Sequence, residues 1–246
     1  MKRGLFLLLA ALHLQSLSAE SPTGEATTAR ELRALGGHVF LDLKSKRITE
    51  VNLNANPNVS DETLKFVSTL NKLTDLSLEK TTLTDRGLLH LTGLQNLEWL
   101  NLYQTGITDR GLKTLTSISS LTHLPVGETK VTDAGLPHLK SLKALQYLGL
   151  RGTRISDRGL QSLTGLTTLT SLHLGQTGVT DDGLKPLRKL PHLIELRLQD
   201  TTVSDRGLKI LKRFPALKKL HLQRTSTTAR AIKELRQERP GWTIYW

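Results

Sequence analysis

LTDLSLEKTTLTDRGLLHLTGLQN, residues Leu73 to Asn96, recurs in residue type at Leu97, Leu121, Leu145, Leu169, Leu193 and Leu217, always 24 residues on. A looser copy opens at Ile48. A fixed period of this size marks an array of stacked units, in which function sits on a surface instead of in a buried pocket. Within one copy, Leu76 and Leu78 alternate with Asp75, Ser77 and Glu79, so the leucines share one side of a short strand and the polar residues share the other. Thr81 follows where the chain must leave the strand, and Thr returns there at Thr105, Thr129, Thr153, Thr177, Thr201 and Thr225, with Asn56 in the first copy. A buried hydroxyl at that place is expected to satisfy loop backbone groups of the neighbouring copy.

The run Leu83, Thr84, Asp85, Arg86, Gly87, Leu88 reads as a helix start. Thr84 is the N-cap, Asp85 suits the positive end of the helix dipole, and Leu83 with Leu88 forms a hydrophobic staple. Leu88, Leu91 and Leu94 then carry one apolar stripe inward. Every copy is therefore expected to hold one strand, one capped turn and one short helix. Strands of equal length joined by crossover helices run parallel and wind right-handed, each coil stacked on the last. A lone coil cannot offset the ordering of its own residues, so both ends need covers. Ala29 to Leu35 reads as a helix ahead of a strand pattern at His38 to Leu43, and Ala231 to Glu238 reads as a closing helix. Pro240 and Gly241 stop that helix before a short apolar tail, Trp242, Ile244 and Trp246.

The pattern Leu97, Leu100, Leu102, Thr105, Ile107, Thr108, Asp109, Gly111, Leu112, Leu115 resembles a leucine-rich repeat, in the subtype whose coils carry a T-D-x-G-L helix start. The resemblance covers residues 48–239, eight copies, between an N-terminal flank at 20–47 and a C-terminal cap at 240–246. It implies an α/β right-handed solenoid, or horseshoe, with parallel strands on the concave face, short helices on the convex face, and a protein partner. The subtype is similar to repeats of bacterial secreted and effector proteins and of F-box proteins. The eukaryotic version usually places Cys where Thr105 stands, so the bacterial type is expected, with an F-box-like substrate adaptor or a host-directed effector as the alternative.

Lys2 and Arg3 precede an apolar run from Leu5 to Leu14 and then Ser16, Ser18 and Ala19. That is the layout of a cleavable signal peptide over residues 1–19, too short for a membrane span of about 20 residues. The expected location is secreted or periplasmic. The chain has no cysteine, so no disulfide can staple it and no N-terminal Cys can carry lipid. One glycosylation sequon, Asn58-Val59-Ser60, is short enough to arise by chance.

The net charge of +12 is unevenly placed: residues 183–246 carry 15 Lys plus Arg against 5 Asp plus Glu, whereas residues 20–182 carry 17 of each. A basic end keeps the last coils soluble, or it adheres to an anionic polysaccharide or lipid surface through Arg197, Lys218, Lys219, His221 and Arg224. Specific nucleic-acid binding is not expected, because the basic residues lack interleaved stacking aromatics.

Equivalent places in successive coils should stand side by side at about 4.8 Å. One outward column then runs Glu50, Asp75, Trp99, His123, Tyr147, Ser171, Glu195, Lys219; a second runs Asn52, Ser77, Asn101, Pro125, Gly149, His173, Arg197, His221. A third holds Tyr103, Gly127, Arg151 and Gly175. Apart from Trp242, Tyr245 and Trp246, every Trp and Tyr falls on this face. Large aromatics anchor interfaces, although they also suit exposed strands for their own sake. The expected partner site is Trp99, Tyr103, His123, Tyr147, Arg151 and His173, with Gly127, Gly149 and Gly152 leaving room for the partner.

On the convex edge, Arg86, Arg110, Arg158, Arg206 and Arg230 follow the helix start and are expected to pair with Asp85, Asp109, Asp157 and Asp205. Catalysis finds no motif here, neither a nucleophile elbow, a phosphate loop nor HExxH, and the scattered histidines make a poor metal site. No enzyme activity, cofactor or metal is expected. The leading expectation is a non-enzymatic protein-binding scaffold.

Overall fold

The alternation of the first repeat becomes geometry in the computed structural model, which describes residues 24–246. The leader read at residues 1–19 lies outside the described residues. Helix α1 (Gly24–Ala34) and strand β1 (His38–Leu41) open the chain. Strands β2 (Ile48–Asn52), β3 (Asp75–Ser77), β4 (Trp99–Asn101), β5 (His123–Pro125), β6 (Tyr147–Gly149), β7 (Ser171–His173), β8 (Glu195–Arg197), β9 (Lys219–His221) and β10 (Thr243–Tyr245) follow. All ten form one sheet in chain order. β1 runs antiparallel to β2, and every later pairing is parallel. This is the open α/β leucine-rich-repeat solenoid expected from the period.

Each coil closes on its own layer of apolar side chains. In the coil opening at Leu73, the side chains of Leu73, Leu76, Leu78, Leu83, Leu88, Leu91 and Leu94 are buried, and the same seven places hold buried apolar residues in the coils opening at Leu97, Leu121, Leu145, Leu169 and Leu193. The stack ends on α1 and β1 at one side. At the other, the helix Ala229–Glu238 and β10 close it, with Trp246 Nε1 donating to Thr227 Oγ1 at 2.8 Å. The apolar tail expected there is thus a strand that pairs with β9 and buries Ile244.

The T-D-x-G-L motif is a clamp between coils. Thr108 caps the helix Asp109–Thr114 by accepting from the Arg110 N–H, while the Asp109 carboxylate accepts from the Thr132 N–H at 2.8 Å and the Thr132 hydroxyl at 2.7 Å in the next coil. The pair of bonds recurs from Asp61 to Thr84, Asp85 to Thr108, Asp133 to Ser156, Asp157 to Thr180, Asp181 to Ser204 and Asp205 to Thr228. From Asp85 to Asp205, glycine is required two places after the Asp because the preceding coil's carboxylate occupies the space of its missing Cβ: a Cβ on Gly135 would lie 2.4 Å from Asp109 Oδ1.

The same geometry corrects three expectations. Asp85, Asp109 and Asp157 spend both oxygens on the next coil, and among the described residues Arg86, Arg110 and Arg158 form no ion pair. Arg206 reaches Asp182 instead, and Arg230 reaches Glu234. The buried Thr column also works within its own coil: the reversal after the strand brings Thr81 Oγ1 2.7 Å from the Leu78 carbonyl, and Thr105, Thr129, Thr153, Thr177, Thr201 and Thr225 repeat that bond. Finally, a capped α-helix does not open every coil at its Asp. The coil opening at Leu121 has a 3-10 helix over Leu136–Ser141, and the next-but-one coil starts its helix, Leu184–Leu187, late. Both carry Pro in that first turn, Pro137 and Pro186, where a missing N–H is tolerated.

Candidate functional site

Parallel pairing with no slip sets Glu50, Asp75, Trp99, His123, Tyr147, Ser171, Glu195 and Lys219 abreast. Because the alternate leucines point into the core, these side chains line the concave face. Three of them form a stack. The Trp99 and His123 rings lie 4.8 Å apart and nearly parallel, and His123 and Tyr147 lie 6.1 Å apart. Trp99 remains 38% exposed. Burial holds the His123 imidazole below its ordinary value, against the pull of Asp75 and Glu98, and its Nδ1 lies 2.9 Å from Thr122 Oγ1. The ring is therefore neutral at neutral pH. His123 stacks on Trp99 from β5, and Trp99 also lines a groove with Asp75 of β3.

Tyr103 does not join this stack. It lies against Gly127, its hydroxyl donates to Glu128, and Arg151 Nη1 stands 3.4 Å from the Tyr103 oxygen. Burial, then the Glu128 bond, pushes the Tyr103 phenol up to about 12, while bonds from Tyr103 and Gln104 hold the Glu128 carboxyl below the usual range. The expectation of open space beside the glycines is corrected accordingly. The Tyr103 ring fills the place beside Gly127, Tyr147 leans over Gly149 with its hydroxyl 3.0 Å from where a Cβ would be, and Glu128 packs against Gly152. His173 packs over Gly175 in the same way, with Nε2 buried and unpartnered; burial, then the charges of Arg197 and Arg151, pushes its imidazole down to about 4.

The basic end is less free than its charge implies. Arg197 Nε, His221 Nε2 and Lys219 Nζ converge on Glu195 Oε1 at 2.8, 3.0 and 3.5 Å. Burial raises the Glu195 carboxyl, but the Arg197 bond and the charges of Arg197 and Lys219 outweigh it and leave the group below its ordinary value. Arg224 grips Asp200, with Nη2 to Oδ2 at 2.7 Å. Among the five residues read as an anion site, Lys218 alone makes no ion pair among the described residues.

Two aromatics on the face were missed in the sequence. Tyr245 is paired with His221 and stacks on it at 4.4 Å, exactly one 24-residue step further, so carrying the column forward would have found it. Phe40 stands opposite Glu50 and is 50% exposed, but it comes from the antiparallel end strand, where the step does not apply. Among the described residues, no group of three His, Asp or Glu side chains is placed to hold a metal ion, and no helix is long and apolar enough to cross a membrane.

Comparison with known proteins agrees with the fold. A leucine-rich-repeat family model matches residues 165–187. No curated protein sequence matches the chain. Among solved structures, an internalin (inlF) from Listeria monocytogenes is similar at 23% identity and a TM-score of 0.60, with 80% of this chain and 60% of that one covered. Internalin C2 from the same species is similar at 26% identity and a TM-score of 0.55, with 74% of this chain and 81% of that one covered. The chain thus spans well under two thirds of the length of the first.

Proposed function

We propose that this leucine-rich-repeat protein is a non-enzymatic scaffold, secreted or periplasmic, that recognises a partner protein through its concave face. The observation that carries the reading is the Trp99–His123–Tyr147 stack. In a chain whose core is built of Leu, Ile and Val, its large rings are arrayed on the open face, with Trp99 the most exposed of the three. A preformed stack of flat rings contributes contact area with little further loss of side-chain freedom, which is the property of interface anchors. Thr105, where the eukaryotic version usually places Cys, and the likeness to internalin C2 support the bacterial type of repeat over the F-box-like adaptor.

The test is a cross-linking pull-down from the protein's own envelope fraction with wild type and Trp99→Ser. The substitution removes an exposed ring, so thermal unfolding should stay within a few degrees of wild type, and the specific partner band should disappear. An unchanged band would remove the stack from the interface. The rival reading, adhesion of the basic last coils to an anionic polymer, is favoured by the excess charge of residues 183–246. Aromatic-anchored capture should survive 0.5 M salt, at which the screening length is only about 4 Å, whereas polyanion adhesion should not.

A further inference from the structure

We propose that the N-terminal part of the concave face binds a basic side chain, Arg or Lys, of the partner protein, with the cation held between the indole of Trp99 and the carboxylates of Glu50 and Asp75. This rests on the concave-face reading above. A groove of about 340 Å³ runs there, lined by Glu50, Asn52, Asp75, Ser77, Trp99 and Asn101. Its floor carries two carboxylates, and that of Asp75 accepts from the Thr74 hydroxyl at 2.6 Å. Glu50 and Asp75 are directly opposite in register, an arrangement of like charges that neighbouring strands ordinarily avoid. Among the described residues neither carboxylate makes an ion pair.

The contrast with the other acidic residues of this face is instructive. Glu195 sits among Arg197, Lys219 and His221, Glu128 has Arg151, Asp200 has Arg224, and Glu79 has Lys80. Where the chain needed a counter-charge it supplied one from its own sequence, and it supplied none to Glu50 and Asp75. Beside them stands Trp99, stacked on His123 and lining the groove together with both carboxylates. An aromatic face next to two carboxylates selects a guanidinium or ammonium group by cation–π attraction and charge together. An acidic partner side chain would be rejected by the same pair of charges.

The probe is a hexa-arginine peptide, followed by the indole N–H signal of Trp99 in two-dimensional NMR, with Trp242 and Trp246 as internal controls and hexa-glutamate as the negative control. The expected result is a saturable shift of the Trp99 signal alone, weakened by salt, with affinity falling about tenfold in the isosteric double variant Glu50→Gln, Asp75→Asn. A Trp99 signal that does not move, or moves equally in the double variant, overturns the proposal. Partner capture separates this failure from a failure of the broader reading. If Trp99→Ser loses the partner and the double variant keeps it undiminished, the cation subsite falls and the concave interface stands. If neither variant affects capture, both fall.

Discussion

The clamp between coils makes a quantitative prediction at Asp109 and Gly135. Asp109→Ala removes the acceptor of two bonds, from the Thr132 N–H at 2.8 Å and the Thr132 hydroxyl at 2.7 Å, both part-buried. Hydrogen bonds to a charged group contribute about 1.5–3 kcal/mol, and an orphaned N–H adds its own desolvation cost, so the loss should be about 3 kcal/mol. Gly135→Ala is expected to cost nearly as much by another route. Its new methyl would lie 2.4 Å from Asp109 Oδ1 and 3.0 Å from a Leu112 methyl, so the carboxylate must be displaced and the same two bonds lost.

The two substitutions therefore remove one interaction between them. In the Asp109→Ala background the carboxylate is gone and only the Leu112 methyl, 3.0 Å from the new Cβ, has to shift slightly, so the gain of about 0.5 kcal/mol through the unfolded chain should leave the added methyl near neutral. The double variant should be no less stable than Asp109→Ala alone, a departure from additivity of about 2–3 kcal/mol. Urea unfolding followed by circular dichroism at 222 nm measures all four corners of the cycle. Costs that add to within about 0.5 kcal/mol would refute the claim that the repeated glycine exists to receive the preceding coil's carboxylate.

Two further expectations follow from the backbone and from a buried imidazole. Ala55 is held at φ 52°, in the left-handed region, so Ala55→Gly should raise the urea midpoint by an amount equivalent to about 0.5–1 kcal/mol; a lower midpoint would show that the turn carries no strain. His173 titrates near 4 in the folded chain against 6.5 unfolded, so between those values the unfolded chain holds the extra proton and stability falls as pH falls. His123 and His221 are shifted in the same direction, hence His173→Gln should shrink this loss without abolishing it. An NMR titration of wild type placing the His173 midpoint above 6 would contradict the burial argument.

What could be read from the sequence was whatever depends on a fixed step and on alternation. The step of 24 placed Trp99, His123 and Tyr147 abreast, and alternation turned them outward, because neither rule needs knowledge of neighbouring side chains. What could not be read was contact. Gly127 and Gly149 looked like openings, but whether space beside a glycine is empty depends on the rotamers of Tyr103 and Tyr147, which spacing does not encode. The Asp of each helix start looked like a partner for the adjacent Arg, since the residue it serves lies 23 positions away in the next coil. Tyr245 was hidden because Pro240 and Gly241 break the leucine pattern just before its strand, although its register with His221 is intact.

The strained turn after each strand shows why the concave face is a rigid template. Ala55, Lys80, Gln104, Glu128, Gly152, Gln176, Asp200 and Arg224 all adopt φ between 51° and 65°, and only one of them is glycine. From Ala55 to Asp200, each donates its N–H to a carbonyl of the next coil, as Glu128 does to Arg151 at 2.7 Å, so the stack itself enforces the conformation. Glycine would relieve the strain everywhere, yet side chains are kept, and several tie coils together: Gln104 to Glu128 and Asp200 to Arg224. Glu128 in turn fixes Tyr103, and Arg151 stands against both of them. Strain in the backbone is thus exchanged for cross-coil bonds along the rim of the face. On the proposed reading, a ring held as Tyr103 is would meet a partner without first being ordered, so the affinity of this surface should depend on the side chains in its columns and very little on induced fit.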